Sequence, residues 1–205
     1  MSNILLVTSS PRGTESLSSG IAIDFVSDLA SLDASATVVH RDLGANPIPH
    51  LDAIATAAIR KAPLDRNEAE VAAAVVSDAL VAELLAADTV VIATGLINFS
   101  IQSTLKSWID NVARAGQTFH YTAEGPVGLA TGKKVYVVLS AAGVYSDGPA
   151  AGMEHAVPYL RTVLGFMGMD NVEVIRIEGL AFGEEAAAKA ISEAQAQAAS
   201  IARSA

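Results

Sequence analysis

The sequence predicts an α/β protein built on a doubly wound sheet of five parallel strands, with helices on both faces. Predicted strands and helices alternate along the whole chain, which is typical of parallel sheets. The segments 89–94 and 135–140 are apolar throughout, as expected of strands that are covered on both faces. With 205 residues, 51% of them hydrophobic, the chain can bury a large core, and we interpret 1–205 as one domain.

The first half of the chain contains three of the predicted strands. Ile21, Phe25 and Leu29 recur at helical spacing after the first strand, so one face of that helix should be buried. A later helix should bury Val76, Leu80 and Leu84. The predicted elements are a strand at 4–7, a helix from 17 to about 31, a strand at 37–41, a helix at 51–60, a helix that is capped by Asp65 and runs to about 87, and a strand at 89–94.

The second half continues the alternation after one interruption. Residues 117–132 have no helical period and contain glycine and proline, which predicts a surface hairpin. The other elements are a helix around 105–112, a strand at 135–140, a helix around 157–167, a strand at 172–177 and a helix at 184–203. Five parallel strands in the order 2-1-3-4-5 place a ligand beyond their carboxyl ends, at the switch point between strands one and three.

The serine-rich turn after the first strand is the first candidate for a ligand site. Ser9, Ser16 and Ser18 can donate hydrogen bonds to phosphate oxygens, and the following helix begins with free N–H groups and a positive dipole end. Arg12 is the only basic residue in the turn. Serines also cap helices without binding any ligand, so these residues alone leave both interpretations open.

Composition and motifs exclude several other functions. The turn lacks G-x-G-x-x-G, and residues 131–134, Thr-Gly-Lys-Lys, do not fit a P-loop. A net charge of -9 argues against a nucleic-acid surface. The absence of cysteine excludes disulfides and thiolate nucleophiles and suits a reducing compartment. We predict no membrane span, no metal site and a cytoplasmic location.

Three loops should converge at the carboxyl end of the sheet, namely 9–18, 95–99 and 140–145, and they resemble one family. Together with the segments 98–110, 114–122, 125–126, 128–129 and 131–134, and with Asp147-Gly148-Pro149 and 158–168, they resemble the FMN-dependent NADH:quinone oxidoreductases, or azoreductases, of the flavodoxin-like superfamily. The resemblance covers essentially the whole chain. It implies a flavodoxin-like fold, FMN as bound cofactor, NADH or NADPH as electron donor, a quinone or azo substrate, and a homodimer.

The resemblance also implies which residues bind the cofactor. The residues that match the family's phosphate site are Ser10, Ser16, Leu17 and Ser18; those that match its ring and ribityl site are Leu96, Ile97, Asn98 and Phe99; and those on the opposite side are Ser140, Ala141, Ala142 and Gly143. We add Ser9 as a further donor from its position in the turn. The family's usual Pro-Met-Tyr is replaced by Gly95-Leu96-Ile97 and its Ser-Arg-Gly-Gly by residues 140–143, which predicts retained FMN binding with a shifted substrate preference.

Aromatic residues are the candidates for substrate binding. They are Phe99, Phe119, Tyr121 and Tyr145. Either tyrosine could donate a proton to the substrate, and no other side chain is assigned a catalytic role because a flavin carries the redox chemistry. The alternative interpretation for the aromatic rings, and for Phe119 in particular, is packing in the core or in an interface.

Two other functions fit parts of the sequence. A flavodoxin-type electron carrier would bind FMN without turning over a small substrate, although residues 42–65 and the hairpin are large enough to cover a substrate pocket or to hold a second subunit. A serine hydrolase would use Ser9 or Ser10 with His155, but the turn is not G-x-S-x-G, and no partner that would orient His155 is evident.

Overall fold

A computed structural model describes residues 2–204 and contains a five-stranded parallel sheet with helices packed around it. The strands are β1 (Asn3–Thr8), β2 (Thr37–Asp42), β3 (Thr89–Gly95), β4 (Phe119–Thr122), β5 (Gly125–Gly128), β6 (Lys134–Ser140) and β7 (Val172–Ile177). The main sheet has the order β2-β1-β3-β6-β7, and β4 and β5 form a separate antiparallel hairpin. With the hairpin strands left out of the numbering, this is the predicted order 2-1-3-4-5, which is confirmed.

Six α-helices connect or flank these strands. They are α1 (Leu17–Ser31), α2 (Ala53–Arg60), α3 (Glu68–Ala86), α4 (Ser103–Val112), α5 (Ala156–Phe166) and α6 (Glu184–Ser204). Within the described part of the chain, none of them is both long and apolar enough to cross a bilayer.

The predicted cap of α3 was wrong. Asp65 lies in a single 3-10 turn, where its N–H donates to the carbonyl of Ala62. Asn67 is the N-cap instead: its side chain accepts from the N–H of Glu70 at 3.0 Å, and the Glu70 carboxylate accepts from the N–H of Asn67 at 3.0 Å. This reciprocal capping box satisfies two N–H groups at the helix start, which Asp65 is not placed to do.

Alternate residues of the central strands bury their side chains in two separate cores. In β1, Leu5 and Val7 pack with residues of α3, α4 and α5, whereas Ile4 and Leu6 pack with α1 and α6. Because successive residues of a strand point to opposite faces, both faces of the sheet are covered. Edge strand β2 is the exception, since Val38 and Val39 are exposed.

Helix α3 does not bury the predicted stripe in full. Leu80 and Leu84 are buried, but Val76 is 43% exposed, and Val71 and Val75 are exposed as well. The helix is apolar on nearly all sides, so spacing alone could not identify its inner face. Its buried row includes Ala74 and Ser77 instead of Val76.

Helix α4 carries the only tryptophan of the sequence, Trp108. Its side chain is fully buried in the same core as Leu105 and Ile109. The indole Nε1 has no hydrogen-bond partner among residues 2–204. Trp108 therefore contributes to stability through apolar packing.

The predicted hairpin is present and is fixed to the end of α5. A β-carbon at Gly128 would lie 2.1 Å from the backbone nitrogen of Gly168, so the two glycines allow the backbones to touch. The N–H of Ala130 donates to the carbonyl of Met167 at 2.9 Å. The ring of Phe119 packs against that of Phe166, with centroids 4.4 Å apart.

Candidate functional site

A cavity of about 350 Å³ lies at the carboxyl end of the sheet. Its lining comprises Ser10, Pro11, Arg12, Ser16, Leu17, Gly95, Leu96, Ile97, Gln102, Ser140, Ala141, Ala142, Leu180 and Ala181. The three loops that the topology predicted to converge all contribute to it. Gln102 and the loop after β7 were not predicted as contributors. The volume falls in the range typical of small-molecule sites.

One end of the cavity is formed by the start of α1. Ser16 is the N-cap of this helix, and its Oγ accepts from the N–H of Ser19 at 3.3 Å. The Ser18 hydroxyl is buried and lies 3.4 Å from Ser16 Oγ. Because the first N–H groups of a helix have no acceptor within it, the cap leaves donors beside Leu17, which lines the cavity. The serines thus cap the helix and also border a place where an anion could bind.

Ser10 and Arg12 complete this polar end. The backbone N–H of Arg12 donates to Ser10 Oγ at 3.3 Å, which leaves the hydroxyl hydrogen of Ser10 free for a ligand. The Arg12 side chain is 67% exposed and forms only a long ion pair of 3.8 Å with Glu15. An exposed pair of this kind restrains the guanidinium weakly, so Arg12 can turn toward an anion.

The structure corrects the role predicted for Ser9. Its hydroxyl is 1% exposed and lies 2.5 Å from Gln102 Oε1 and 3.1 Å from the carbonyl of Ala93. Its hydrogen is therefore used inside the protein, and Ser9 is absent from the cavity lining. Ser9 holds Gln102 in place instead of contacting a ligand.

The opposite end of the cavity has apolar walls. On one side are Leu96 and Ile97, which the sequence predicted. Asn98 and Phe99 do not line the cavity; they form a tight turn in which both residues have positive φ angles, 47° and 68°. Ile97 and Ser100 close this turn with two backbone hydrogen bonds of 3.0 Å. The turn has the left-handed geometry that matches strand twist, although phenylalanine rarely adopts it.

The loop after β6 forms the facing wall. Ser140, Ala141 and Ala142 line the cavity as predicted, but Gly143 does not. A β-carbon at Gly143 would lie 3.1 Å from the ring of Tyr145, so this glycine makes room for the tyrosine.

The loop after β7 reaches the cavity because it is hydrogen-bonded to the loop after β6. The N–H groups of Leu180 and Ala181 donate to the carbonyls of Ala141 and Ala142, at 3.3 and 2.9 Å. Neither residue carries a polar side chain, so the sequence offered no signal for their contribution.

The four aromatic candidates separate into two pairs. Phe99 and Tyr145 meet edge to face with centroids 6.2 Å apart, and Phe99 is 41% exposed. Phe119 is 8% exposed and contacts Phe166 and Tyr121. Phe119 therefore packs the hairpin, and Tyr121, which is 71% exposed, lies on its outer surface. Among these four residues, only Phe99 and Tyr145 belong to loops that border the cavity.

The described residues provide no arrangement for a serine hydrolase. His155 is exposed at the start of α5, and its backbone N–H donates to the carbonyl of Phe99 at 2.8 Å. A hydroxyl and a histidine do meet at 3.0 Å, but they are Thr8 and His40. Residues 2–204 also contain no group of three metal-binding side chains.

The segment 131–134, which does not fit a P-loop, has a structural role. Lys133 is buried, and its Nζ donates to the carbonyls of Leu85 at 2.9 Å and Ala87 at 2.5 Å. Burial lowers the pKa of this amine. Lys133 satisfies carbonyls at the end of α3, where a positive charge is favoured by the helix dipole.

Two buried arginines and a partly exposed aspartate form an ionic cluster beside α2 and α3. Arg114 donates to Ser77 Oγ at 2.6 Å and to Asp78 Oδ1 at 3.0 Å, while Arg66 donates to Asp78 Oδ2 at 2.9 Å. Burial raises the pKa of the Asp78 carboxyl, but the hydrogen bonds from Arg66 and Arg114 outweigh this effect, so that the pKa lies below its ordinary value. Asp78 thus stays charged between two guanidinium groups that are almost inaccessible to solvent.

Comparison with known proteins agrees with this architecture. Residues 2–202 match a family model described as the flavodoxin-like fold. The chain is 67% identical to the FMN-dependent NADH:quinone oxidoreductase of Agrobacterium fabrum over 205 residues, covering all of both proteins. It is 62% identical to the protein of the same name from Rhizobium johnstonii over 202 residues, which cover 98% of each.

Solved structures give the same result. A crystal structure of azoreductase from Bacillus anthracis strain Sterne superposes with a TM-score of 0.92 at 34% identity and covers all of both chains. A crystal structure of an FMN-dependent NADH-azoreductase from Bacillus anthracis strain Ames Ancestor, in complex with FMN, superposes with a TM-score of 0.87 at 26% identity and covers 98% of this chain and 100% of that one.

Proposed function

Because this chain belongs to the FMN-dependent NADH:quinone oxidoreductase and azoreductase family of the flavodoxin-like fold, we propose that it uses FMN to reduce quinones or azo compounds at the expense of NADH. The observation that carries this proposal is the cavity to which the loops after β1, β3 and β6 all contribute. Its hydroxyl and N–H donors lie at one end and its apolar walls at the other. A flavin phosphate ester has the same polarity along its length.

The donors present fit a phosphate group held largely by neutral partners. Ser10 and Ser16 line the cavity, and the start of α1 adds N–H groups and the positive end of its dipole. Arg12 is the one cationic side chain in the lining. Retention of the phosphate would anchor FMN while the electron donor and the acceptor exchange at the other end, which suits a bound cofactor better than a nucleotide whose phosphate is transferred.

The walls at the other end fit a flat, mostly apolar ring. Leu96 and Ile97 face Ala141 and Ala142 across the cavity, and the backbone N–H of Leu96 donates to the carbonyl of Ser140 at 2.8 Å. This hydrogen bond fixes the spacing of the two walls. Apolar walls exclude water from the ring, and the nearby backbone amides supply fixed dipoles for its polar edge.

When bound, FMN would supply the redox chemistry by accepting a hydride at N5 from NADH and then, after the nicotinamide leaves, passing two electrons to the acceptor. The protein's own task is to position the acceptor. Phe99 and Tyr145 offer an aromatic surface for it beside the cavity. Of the two predicted proton donors, Tyr145 is better placed than Tyr121, because it packs against Gly143 in the cavity-wall loop.

A steady-state assay tests the proposed activity. Purified protein is mixed with NADH and a benzoquinone, and in a parallel series with an azo dye, and the rates are compared with those of free FMN at equal concentration. We expect a yellow protein that bleaches anaerobically with NADH and turns over well above the free-flavin rate. A protein that bleaches but shows no acceptor turnover would support a flavodoxin-type carrier, and one that binds no flavin would refute both functions.

We also propose that two copies of the chain associate through α2 and α3. These helices expose large apolar side chains: Ile54, Val71, Val75 and Val76 are between 43% and 62% exposed, and nearby Leu64 is 98% exposed. Large apolar side chains exposed on two helices that pack together are typical of an interaction surface. Light scattering on the eluted protein should give twice the chain mass of 21.0 kDa, and Val75→Glu should shift it to the monomer mass.

A further inference from the structure

Two carboxylates and one guanidinium group connect the loops that carry the aromatic surface formed by Phe99 and Tyr145. Arg176 of β7 donates through one nitrogen to Glu178 at 3.4 Å and through another to Glu154 at 3.3 Å. The side chains of Glu178 and Glu154 are 9% and 5% exposed. One arginine therefore binds two carboxylates that are almost inaccessible to solvent.

Glu178 holds the loop that carries Tyr145. Its Oε1, the oxygen that accepts from Arg176, also accepts from the backbone N–H of Tyr145 at 3.0 Å. The N–H of the next residue, Gly179, donates to the carbonyl of Gly143 at 3.0 Å, and a β-carbon at Gly143 would lie 3.1 Å from the Tyr145 ring. Because the ring packs on backbone that is tied to Glu178 and its neighbour, a displacement of Glu178 would move the ring as well.

Glu154 holds the start of α5 and, through it, Phe99. Its Oε1 accepts from the N–H groups of Ala156 and Val157 at 2.5 and 2.7 Å, where the positive end of the helix dipole favours a carboxylate. His155 lies between Glu154 and these two residues, and its backbone N–H donates to the carbonyl of Phe99 at 2.8 Å. The backbone position of Phe99 therefore depends on Glu154.

The ion pairs of Arg176 thus link the supports of two rings that also meet each other, with centroids 6.2 Å apart. Resting on the proposed function, we propose that Arg176 is a positioning residue for the electron acceptor. It holds Glu154 and Glu178 together, and so keeps Phe99 and Tyr145 in the arrangement on which a flat acceptor lies. Arg176 does not line the cavity, so its effect on the acceptor passes through the two carboxylates.

Removal of the guanidinium group leaves the other contacts of both carboxylates in place. Arg176→Met keeps most of the side-chain length but deprives the two buried carboxylates of their shared cation, so they should repel each other. Both can still accept from the backbone N–H groups described above. The cavity walls are held separately, by the hydrogen bonds from the N–H groups of Leu180 and Ala181. FMN affinity should therefore not depend on Arg176.

Steady-state kinetics at saturating NADH test the proposal with two acceptors. A naphthoquinone is flat and aromatic, whereas ferricyanide takes electrons without lying on an aromatic surface. We expect Arg176→Met to raise the KM for the naphthoquinone about two- to tenfold, the effect of a lost aromatic contact, with unchanged ferricyanide turnover and unchanged FMN affinity. Arg176→Lys keeps the charge but not the planar fork that reaches both carboxylates, and should raise this KM by a smaller factor.

A double variant distinguishes positioning of the rings from a general effect on the fold. Phe99→Leu removes one of the two rings that Arg176 is proposed to position. Arg176→Met combined with Phe99→Leu should therefore show the naphthoquinone KM of Phe99→Leu alone, whereas independent effects would multiply. The matched control is Arg41→Met, which breaks the ion pair of Arg41 with Glu83 outside the cavity lining and should keep the wild-type KM.

Three results would each overturn the positioning role of Arg176. They are a wild-type KM in both Arg176 variants, KM increases that multiply in the double variant, and a loss of ferricyanide turnover and FMN affinity that matches the rise in KM. Wild-type protein that binds no FMN, or that does not reduce the naphthoquinone, would instead refute the proposed function itself. The two failures are therefore distinguishable.

Discussion

The backbone of Gly44 lies directly against the carbonyl of Ser10, so that a β-carbon at position 44 would stand 2.2 Å from that oxygen. This contact sets how closely the loop after β2 approaches the phosphate end of the cavity. A neighbouring hydrogen bond holds the same two loops together, since the N–H of Leu43 donates to the carbonyl of Thr8 at 2.7 Å. A glycine far from the site in sequence thus supports the shape of the site.

Gly44→Ala should displace the Ser10 loop. A methyl group cannot be placed 2.2 Å from a carbonyl oxygen, and relief by backbone movement costs about 1–3 kcal/mol. We expect lower FMN affinity and a lower free energy of unfolding, measured by fluorescence titration and urea denaturation. In the matched control Gly20→Ala, nothing lies within 4 Å of the new β-carbon. Gly20→Ala should keep the FMN affinity of the wild type. Its free energy of unfolding should rise by about 0.5–1 kcal/mol, because alanine favours the helix more than glycine does.

Ser16→Ala combined with Ser18→Ala should release FMN. The double change removes the cap of α1 and the hydroxyl beside it, and with them the donors nearest the proposed phosphate position. We expect FMN affinity to fall by tenfold or more and riboflavin affinity to change little, because riboflavin has no phosphate. Ser31→Ala, at the far end of α1, serves as the control. Unchanged FMN occupancy in the double variant would refute the phosphate assignment.

Much of the fold could be predicted from the sequence because the central strands carry a strong signal. The apolar runs of β3 and β6 indicated burial on both faces, and both strands are found with bounds within one residue of those predicted. Helix α3 could not be read in the same way, since apolar side chains on nearly all sides hide which face is buried. Val76 was misassigned for that reason.

The site was predicted less completely because adjacent residues at a strand end face different ways. Ser9 and Ser10 are equivalent in the sequence, yet Ser10 lines the cavity while Ser9 is bonded to Gln102. Leu180 and Ala181 contribute through backbone hydrogen bonds, which leave no trace in residue type. The role of Gly44 depends on one close contact across the fold and was equally hidden.

Asp78→Asn should lower stability and weaken its dependence on pH. The folded pKa of Asp78 lies below the unfolded value of about 3.9, so its stabilisation is fully present above that value and is lost as pH falls through the folded pKa. We expect Asp78→Asn to lower the free energy of unfolding by about 1–3 kcal/mol at pH 7. Breaking a fully buried ion pair would cost more, but the Asp78 carboxylate is 44% exposed and partly screened by water.

Urea unfolding at pH 7 and at steps from pH 5 to pH 2 measures this effect. The stability difference between wild type and Asp78→Asn should shrink as the pH falls below about 4. Asp24→Asn, an exposed carboxyl on α1, should behave like wild type throughout. A difference that stayed constant down to pH 2 would contradict the charge-based explanation.

Phe99→Gly should make the protein more stable and less effective with aromatic substrates. Phe99 has φ at 68°, and a left-handed conformation costs a residue with a side chain about 1–2 kcal/mol that glycine avoids. Loss of the ring removes the contact with Tyr145, so the KM for an aromatic quinone should rise about two- to tenfold. Phe99→Leu keeps the strained backbone without the ring, and should raise KM with no gain in thermal stability.

The burial of Trp108 gives the protein an internal optical probe. The chain has a single indole, on the inner face of α4 and fully enclosed in the core, so the intrinsic tryptophan emission comes from one known position. Tryptophan emission overlaps the absorption of oxidised flavins, so FMN bound in the cavity should quench this emission by energy transfer. Unfolding should restore the tryptophan emission and shift its maximum to longer wavelength. One emission spectrum can therefore distinguish folded protein without FMN from unfolded protein.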